Sequence, residues 1–214
     1  MTPFLLVLSS PSGAGKTSIA RRLLETRGDV AYSVSATTRP RRPGETDGRD
    51  YHFLAADEFE RRVAAGEFLE HATYGGHRYG TLRSEVNAIF RRGKHALLDI
   101  EIAGARQLRA SFPDAVHVFV LPPSGDELVR RLEGRNTEDP AAVRRRLNHA
   151  AAELAAVGEY GYAVVNDDLA RAVARVSAIV DAECQRIGRQ DELTAFVAAL
   201  RRQVLAEAAR FPTS

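Results

Sequence analysis

Residues 4–8, Phe-Leu-Leu-Val-Leu, form an apolar run that predicts a first strand. Behind it, Ile19, Leu23 and Leu24 recur at helical spacing, which predicts a helix over 15–26 that stops near Gly28. Residues 30–35 read as a second strand. The pattern then changes. Residues 37–44 are basic and rich in breakers, and predict a loop. Residues 50–54 predict a short strand, and Asp57 with Glu60 predicts a capping box opening a helix that runs through Val63 and closes at Gly66. Residues 68–74 alternate, Gly75-Gly76 marks a hairpin turn, and 77–80 leave it.

Longer elements resume afterwards. Helices are predicted over 84–92, 103–111 and 124–133, and strands over 95–100 and 115–121. Pro122-Pro123 breaks the second of these strands. After a connection over 134–140, a long helix places Val143, Leu147, Ala150 and Leu154 on one face. A last strand over 162–165 and a helix over 169–187 follow. The tail over 191–211 is amphipathic and reads as a packing or oligomer-contact helix. Alternation of strands and helices predicts the α/β class: a parallel-sheet core with helices on both faces, carrying an inserted lobe of short antiparallel strands over about 35–80.

Composition narrows the partners. The chain has 214 residues, 44% of them hydrophobic and 27% charged, as an ordinary soluble globular protein does. A net charge of +2 gives no indication of nucleic-acid binding. A single cysteine, Cys184, rules out an internal disulfide framework and fits a reducing compartment. No basic leader or long apolar span is visible, so the expected location is the cytoplasm, without membrane contact. The six histidines are scattered and predict no zinc site. The oligomeric state is left open between monomer and homodimer.

Chemistry concentrates first at Ser9–Thr17. A strand, a glycine-bearing loop and a helix are the context of a phosphate-binding P-loop, here Ser10-Pro11-Ser12-Gly13-Ala14-Gly15-Lys16-Thr17-Ser18. Gly13 and Gly15 let the backbone curl its N–H groups inward, and the helix N-terminus adds positive potential. Lys16 is suited to reach the β- and γ-phosphates, and Thr17 to offer its hydroxyl to magnesium. Lysine occurs only at 16 and 94, so a lysine in this loop is not a generic surface charge. Ser10 stands where the usual pattern has glycine.

Four further groups follow. Arg39, Arg41 and Arg42, with Arg49 and Tyr51 beyond them, suit a second phosphate, since guanidinium forks bind phosphate oxygens in pairs. Glu70, with Tyr79 and Thr81, suits guanine, whose N1–H and N2–H₂ present adjacent donors to one carboxylate; a plain surface glutamate is the competing reading. Asp99 and Glu101 close an apolar strand at the end where ligands bind in open α/β sheets. One would help hold hydrated magnesium and the other touch the base, or both would cap the following helix. Arg131, Arg135 and Arg146 are placed to neutralise a transferred phosphoryl group, or else to lie on a salt-bridged helix surface.

Together these stretches resemble guanylate kinase, a nucleoside-monophosphate kinase family. The resemblance spans about 4–187 and rests on SSPSGAGKT, YSVSATTRPRRPGETDGRDYHF, EFLEHATYGGHRYGT, LLDIEIAGARQL, LPPSGDELVRRLEGR, RRRLNHAAAEL and VVNDDL, in that order. It implies three parts within 2–187: a core (about 2–34, 82–122 and 158–187), a mixed α/β GMP-binding lobe (about 35–81) and a helical lid (about 123–157). Residues 188–214 would add an extra helix. It further implies that Ser35 contacts the base, that Arg39, Arg42, Tyr51 and Tyr79 hold the GMP phosphate, and that Glu70, Thr81 and Glu101 read guanine, beside Asp99. Arg131, Arg135 and Arg146 would reach the ATP phosphates, with Lys16, Arg42, Arg131 and Arg146 as the catalytic set and Asn166 near the adenine. Glu101 stands where many relatives have aspartate, and Asn136 where glycine is common.

The implied reaction is magnesium-dependent transfer of the ATP γ-phosphoryl to GMP or dGMP, with Thr17 and, through water, Asp99 at the metal. Two other readings share parts of this pattern. A P-loop kinase of a phosphorylated sugar would need no purine pocket. A non-catalytic guanylate-kinase-like interaction module would not need the intact loop and Lys16.

Overall fold

The protein is described here by a computed structural model covering residues 2–133 and 140–211. Two sheets organise it. The first is five-stranded and parallel, built from β1 (Leu5–Ser9), β2 (Val30–Tyr32), β7 (His95–Asp99), β8 (Val116–Leu121) and β9 (Tyr162–Val165), in the order β2-β7-β1-β8-β9. β1 is buried throughout because each of its faces meets helices. Phe4, Leu6 and Leu8 pack with Ile19 and Leu23 of α1 (Lys16–Thr26) and with Val176 and Val180 of α7 (Leu169–Cys184). Leu5 and Val7 pack the other way, with Ile89 of α3 (Arg83–Arg91) and Leu108 of α4 (Ile102–Ser111). Truncating a fully buried leucine such as Leu6 or Leu23 to alanine would cost about 2–5 kcal/mol.

The second sheet is small and mixed, in the order β4-β3-β6-β5: β3 (Ser35–Thr37), β4 (His52–Phe53), β5 (Phe68–Tyr74) and β6 (His77–Leu82). Its core is Ala36, Phe59, Phe68 and Leu82, with Phe59 coming from α2 (Ala56–Ala64). Gly75 and Gly76 both hold positive φ, 57° and 80°, which gives the two-residue turn closing β5 onto β6, with Tyr74 opposite His77.

The expected single strand over 30–35 is two strands. Val30–Tyr32 pairs with β7, whereas Ser35–Thr37 pairs with β6 in the other sheet, and the Ser33 N–H bonded to the Leu97 carbonyl marks where the chain leaves the core. The expected capping box is also absent. Helix α2 begins after Ala55 with no side-chain cap; Asp57 accepts from the Glu58 N–H, and Glu60 pairs with Arg78. The two acids of its first turn, Asp57 and Glu58, still complement the helix dipole.

Beyond β8 lie α5 (Gly125–Glu133) and α6 (Pro140–Leu154), where Leu128, Leu132 and Ala150 form one buried cluster with Leu147 against it. The last helix, α8 (Leu193–Ala208), buries none of its residues, so it is not a packing helix within the described chain. No helix among the described residues is long and apolar enough to cross a membrane.

Candidate active site

At the carboxyl ends of β1 and β7 the core sheet opens into a cavity of about 390 Å³. One wall is the loop after β1: Ser10, Pro11, Ser12, Gly13 and Gly15, with Lys16, Thr17 and Ser18 of the α1 start. The facing wall comes from the second sheet and its loop: Ser35, Arg42, Tyr51, Glu70, Tyr79 and Gly80. Asp99, Ile100 and Glu101 close the cavity between them. Two regions separate in sequence thus face each other across one space.

The loop has the curled backbone that its glycines predict. Gly13 and Gly15 have φ of 90° and 93°, in the left-handed region that a Cβ disfavours. Space is as restrictive as conformation. A Cβ on Gly15 would fall 2.3 Å from Asn166 Nδ2, which donates to the Ala14 carbonyl at 2.8 Å. Ser10, the departure from the usual glycine, is buried and turns its hydroxyl onto the Pro11 carbonyl. A small side chain is accommodated there without opening the loop.

Lys16 points into the cavity. Its Nζ lies 2.8 Å from Asp99 Oδ1, 3.7 Å from Glu101 Oε1, and donates to the Ile100 carbonyl at 2.9 Å. Burial works against its charge, but the two carboxylates outweigh that and hold the ammonium above its ordinary pKa. Thr17 Oγ1 donates to the other Asp99 oxygen at 2.9 Å. Glu101 occupies the N-cap position of α4 without making a side-chain cap bond, so capping does not explain it. The strand ends at Asp99, and the turn into α4 brings both acids to Lys16.

On the facing wall Glu70 is 4% exposed, and Thr81 Oγ1 donates to its Oε1 at 2.7 Å. This is not a surface glutamate. Desolvation pushes its carboxyl up to about 7, against the pull of Thr81. Ser35 sits opposite Thr81 on β3, buried. Tyr51 and Tyr79 meet edge to face, 6.0 Å between ring centres. Arg42 lines the cavity, but Arg39 does not: its guanidinium forks onto Glu45 at 2.7 and 3.0 Å and stacks over Tyr51.

Helices α5 and α6 bring the remaining groups. Arg131 donates to the carbonyls of Ala14 and Asn166, both at 3.2 Å, and to Glu127, so it braces the loop from outside the cavity. Arg146 is half-buried on α6, and its charge acts on the Tyr74 phenol together with those of Glu101 and Glu153. Arg135, with Asn136, lies outside the described residues.

Two groups escaped the sequence reading. Glu153 of α6, 8% exposed, accepts the Ser12 N–H at 3.1 Å and pairs with His149 at 3.2 Å. Tyr74 lines the cavity and packs edge-on against His149, 5.9 Å between ring centres. An acid three residues beyond Ala150 on the apolar side of α6 was the available sign for Glu153. Nothing in the sequence marked Tyr74, which alternation alone places at a hairpin tip.

The guanylate kinase family model matches residues 3–183. A guanylate kinase of Frankia casuarinae is 52% identical over 176 residues, covering 82% of this chain and 96% of that protein. One of Symbiobacterium thermophilum is 50% identical, covering 86% and 88%. The crystal structure of guanylate kinase from Anaplasma phagocytophilum superposes with a TM-score of 0.77 at 35% identity, covering 92% of this chain and 95% of that one. With a P-loop and a buried acceptor facing each other across one cavity, and with these relatives along nearly its whole length, the chain belongs to the guanylate kinase family of nucleoside-monophosphate kinases.

Proposed function

We propose that the cavity transfers the γ-phosphoryl of ATP to GMP, and to dGMP, giving ADP and GDP. The observation that carries this reading is Glu70 facing the loop of Lys16: a desolvated carboxylate braced by Thr81, across one cavity from a phosphate-binding loop. A carboxylate accepts the paired N1–H and N2–H₂ donors of guanine, which adenine lacks on that edge. A sugar-phosphate kinase would have no use for such a group. The intact loop and Lys16 suit catalysis better than a binding-only module.

In this reading Ser10 to Ser18 and Lys16 hold the ATP phosphates, and Asn166 and Arg131 keep the loop in shape while Asn166 borders the adenine. Arg42, Tyr51 and Tyr79 hold the GMP phosphate. Arg39 joins them by exchanging Glu45 for phosphate, a better bidentate partner. Ser35, Glu70, Thr81 and Glu101 hold the base. The nucleophile is a GMP phosphate oxygen, already ionised at neutral pH, so positioning and charge stabilisation suffice without a covalent intermediate. Arg135 and Arg146 spread the charge of the transferred group, joined by Arg131 when it exchanges the Ala14 and Asn166 carbonyls for phosphate, and exclusion of water limits ATP hydrolysis.

Thr17 and Asp99 fit magnesium: two hard oxygen ligands side by side, a number that suits an ion bound mainly by phosphates and water. Thr17 would hold it directly and Asp99 through water, and the ion would supply positive charge against the ATP phosphates. We assign residues 2–34, 82–122 and 158–187 to the core, 35–81 to the GMP lobe and 123–157 to the lid, and place the reaction in the reducing cytoplasm.

A coupled assay of ADP formation with GMP, dGMP, AMP, UMP and ribose bisphosphate, with and without chelator, tests the reading. GMP and dGMP should stimulate it and chelation should abolish it. Stimulation by the sugar phosphate but not GMP would overturn it.

A further inference from the structure

The carboxylate of Glu70 is held from a side that the cavity does not show. Its Oε1 faces Thr81 of β6, and its Oε2 lies against the first turn of α4, at Gly104. A Cβ on Gly104 would stand 2.1 Å from Oε2 and 2.8 Å from Cδ, distances no side chain tolerates. Gly104 is not among the glycines at positive φ, so the backbone does not require it. Glycine also weakens a helix relative to alanine. The missing side chain serves Glu70.

One turn further along α4, on the same face, Gln107 brackets the next residue of β5. Its Nε2 donates to the His71 carbonyl at 2.7 Å and its Oε1 accepts the His71 N–H at 3.1 Å. β5 is the edge strand of the small sheet, and the amide of Gln107 stands in for a neighbouring strand there. Glu70 is thus fixed twice by one helix: its side chain by the gap at Gly104, its backbone by the amide at Gln107. Glu101 stands at the N-cap of the same helix, so one rigid element sets both acids of the purine pocket.

We infer that Gly104 and Gln107 are positioning residues for guanine recognition, holding the Glu70 carboxylate where it accepts both donors of the base edge. This rests on Glu70 being the guanine acceptor. A carboxylate displaced by a methyl group at Gly104 keeps one donor at best, so the enzyme should stop favouring a 6-oxopurine with a 2-amino group over one without it.

The test is steady-state kinetics of Gly104→Ala, Gln107→Leu and Glu70→Gln, with GMP and IMP at saturating ATP. Gly104→Ala should raise KM for GMP at least tenfold and shrink the GMP-over-IMP preference at least tenfold, with KM for ATP within twofold. The double variant Gly104→Ala with Glu70→Asp should recover GMP preference over Gly104→Ala alone, because the shorter acid clears the methyl group. A merely structural role would lower melting temperature and impair ATP and GMP alike, without that rescue. Gln107→Leu, at an exposed position, should raise KM for GMP about threefold and carries the test if Gly104→Ala does not fold. Unchanged GMP kinetics and selectivity in Gly104→Ala, or in Gln107→Leu where that variant carries the test, beside lost selectivity in Glu70→Gln, would overturn this inference alone. Unchanged selectivity in Glu70→Gln would overturn the guanine assignment and this inference with it.

Discussion

Glu153 Oε2 accepts the Ser12 N–H at 3.1 Å, so a carboxylate from α6 sits on the loop proposed to receive the ATP phosphates. Burial raises the carboxyl above its ordinary pKa, a sign that the charge is held at a cost. An anion at that place repels an incoming phosphate. Glu153→Gln keeps the acceptor and shape while removing the charge. ADP and ATP should then bind about fivefold more tightly in calorimetry, about 1 kcal/mol, with GMP affinity unchanged. Weaker nucleotide binding would show instead that the carboxylate supports the loop.

Lys16 answers to three acceptors, Asp99, Glu101 and the Ile100 carbonyl, before any substrate is considered. Lys16→Met should lower kcat by about 10²–10³-fold, as loss of one charge-stabilising donor does. Lys16→Arg should not restore it, because a planar fork cannot replace a compact ammonium inside the loop. Near-normal turnover in either variant would remove Lys16 from the catalytic set.

Glu70 and His117 should tilt stability with pH in opposite senses. Desolvation raises Glu70 from 4.5 to about 7, so between those values the folded protein holds a proton the unfolded chain has lost. Stability therefore falls as pH rises through that window, by about 3 kcal/mol. His117, buried and without a hydrogen-bond partner, is lowered from 6.5 to about 4 by burial and by Arg109. There the unfolded chain holds the extra proton, and stability falls as pH drops through that window, by about 2 kcal/mol after solvent screening. Urea unfolding from pH 4.5 to 7.5 should show Glu70→Gln gaining on the parent toward high pH and His117→Phe gaining toward low pH. Curves parallel to the parent would contradict both.

The same raised carboxyl predicts a kinetic signature. With Glu70 as the proposed guanine acceptor, binding needs the ionised form, so kcat/KM for GMP should rise as pH passes about 7. The step should disappear in Glu70→Gln while titration of the GMP phosphate remains. A profile identical in both proteins would separate Glu70 from the base.

Helix α8 offers a simpler expectation. It buries no residue, and Phe196 and Leu205 are 63% and 65% exposed. Ending the chain after Glu192 should leave kcat and KM within twofold and the melting temperature within about 3 °C. A larger loss would mean that the helix is covered in solution, and light scattering on both forms would then report the change of mass.

Much of the fold was legible because burial on two faces leaves apolar runs, continuous in β1 and broken only by His117 in β8, and because amphipathic helices alternate with them. Boundaries failed where one extended segment serves two sheets: nothing local distinguishes Tyr32 from Ser35, since the partners that separate them, β7 and β6, are distant in sequence. The capping box at Asp57 failed because the helix starts earlier: Ala55 stands at its N-cap, Asp57 lies inside the first turn, and Glu60 pairs with Arg78 of β6.

By itself the sequence determined the phosphate loop, because glycine spacing, the lysine and the flanking strand and helix are all local. It also determined which residue types were on offer for a second substrate. Only the tertiary structure decided which of them converge. It buried Glu70 between Thr81 and Gly104, brought Asp99 and Glu101 onto Lys16, gave Arg39 to Glu45, and carried Glu153 across 141 residues to Ser12. Desolvation and charge pairing depend on what lies within a few ångströms in space, and chain order does not contain that distance.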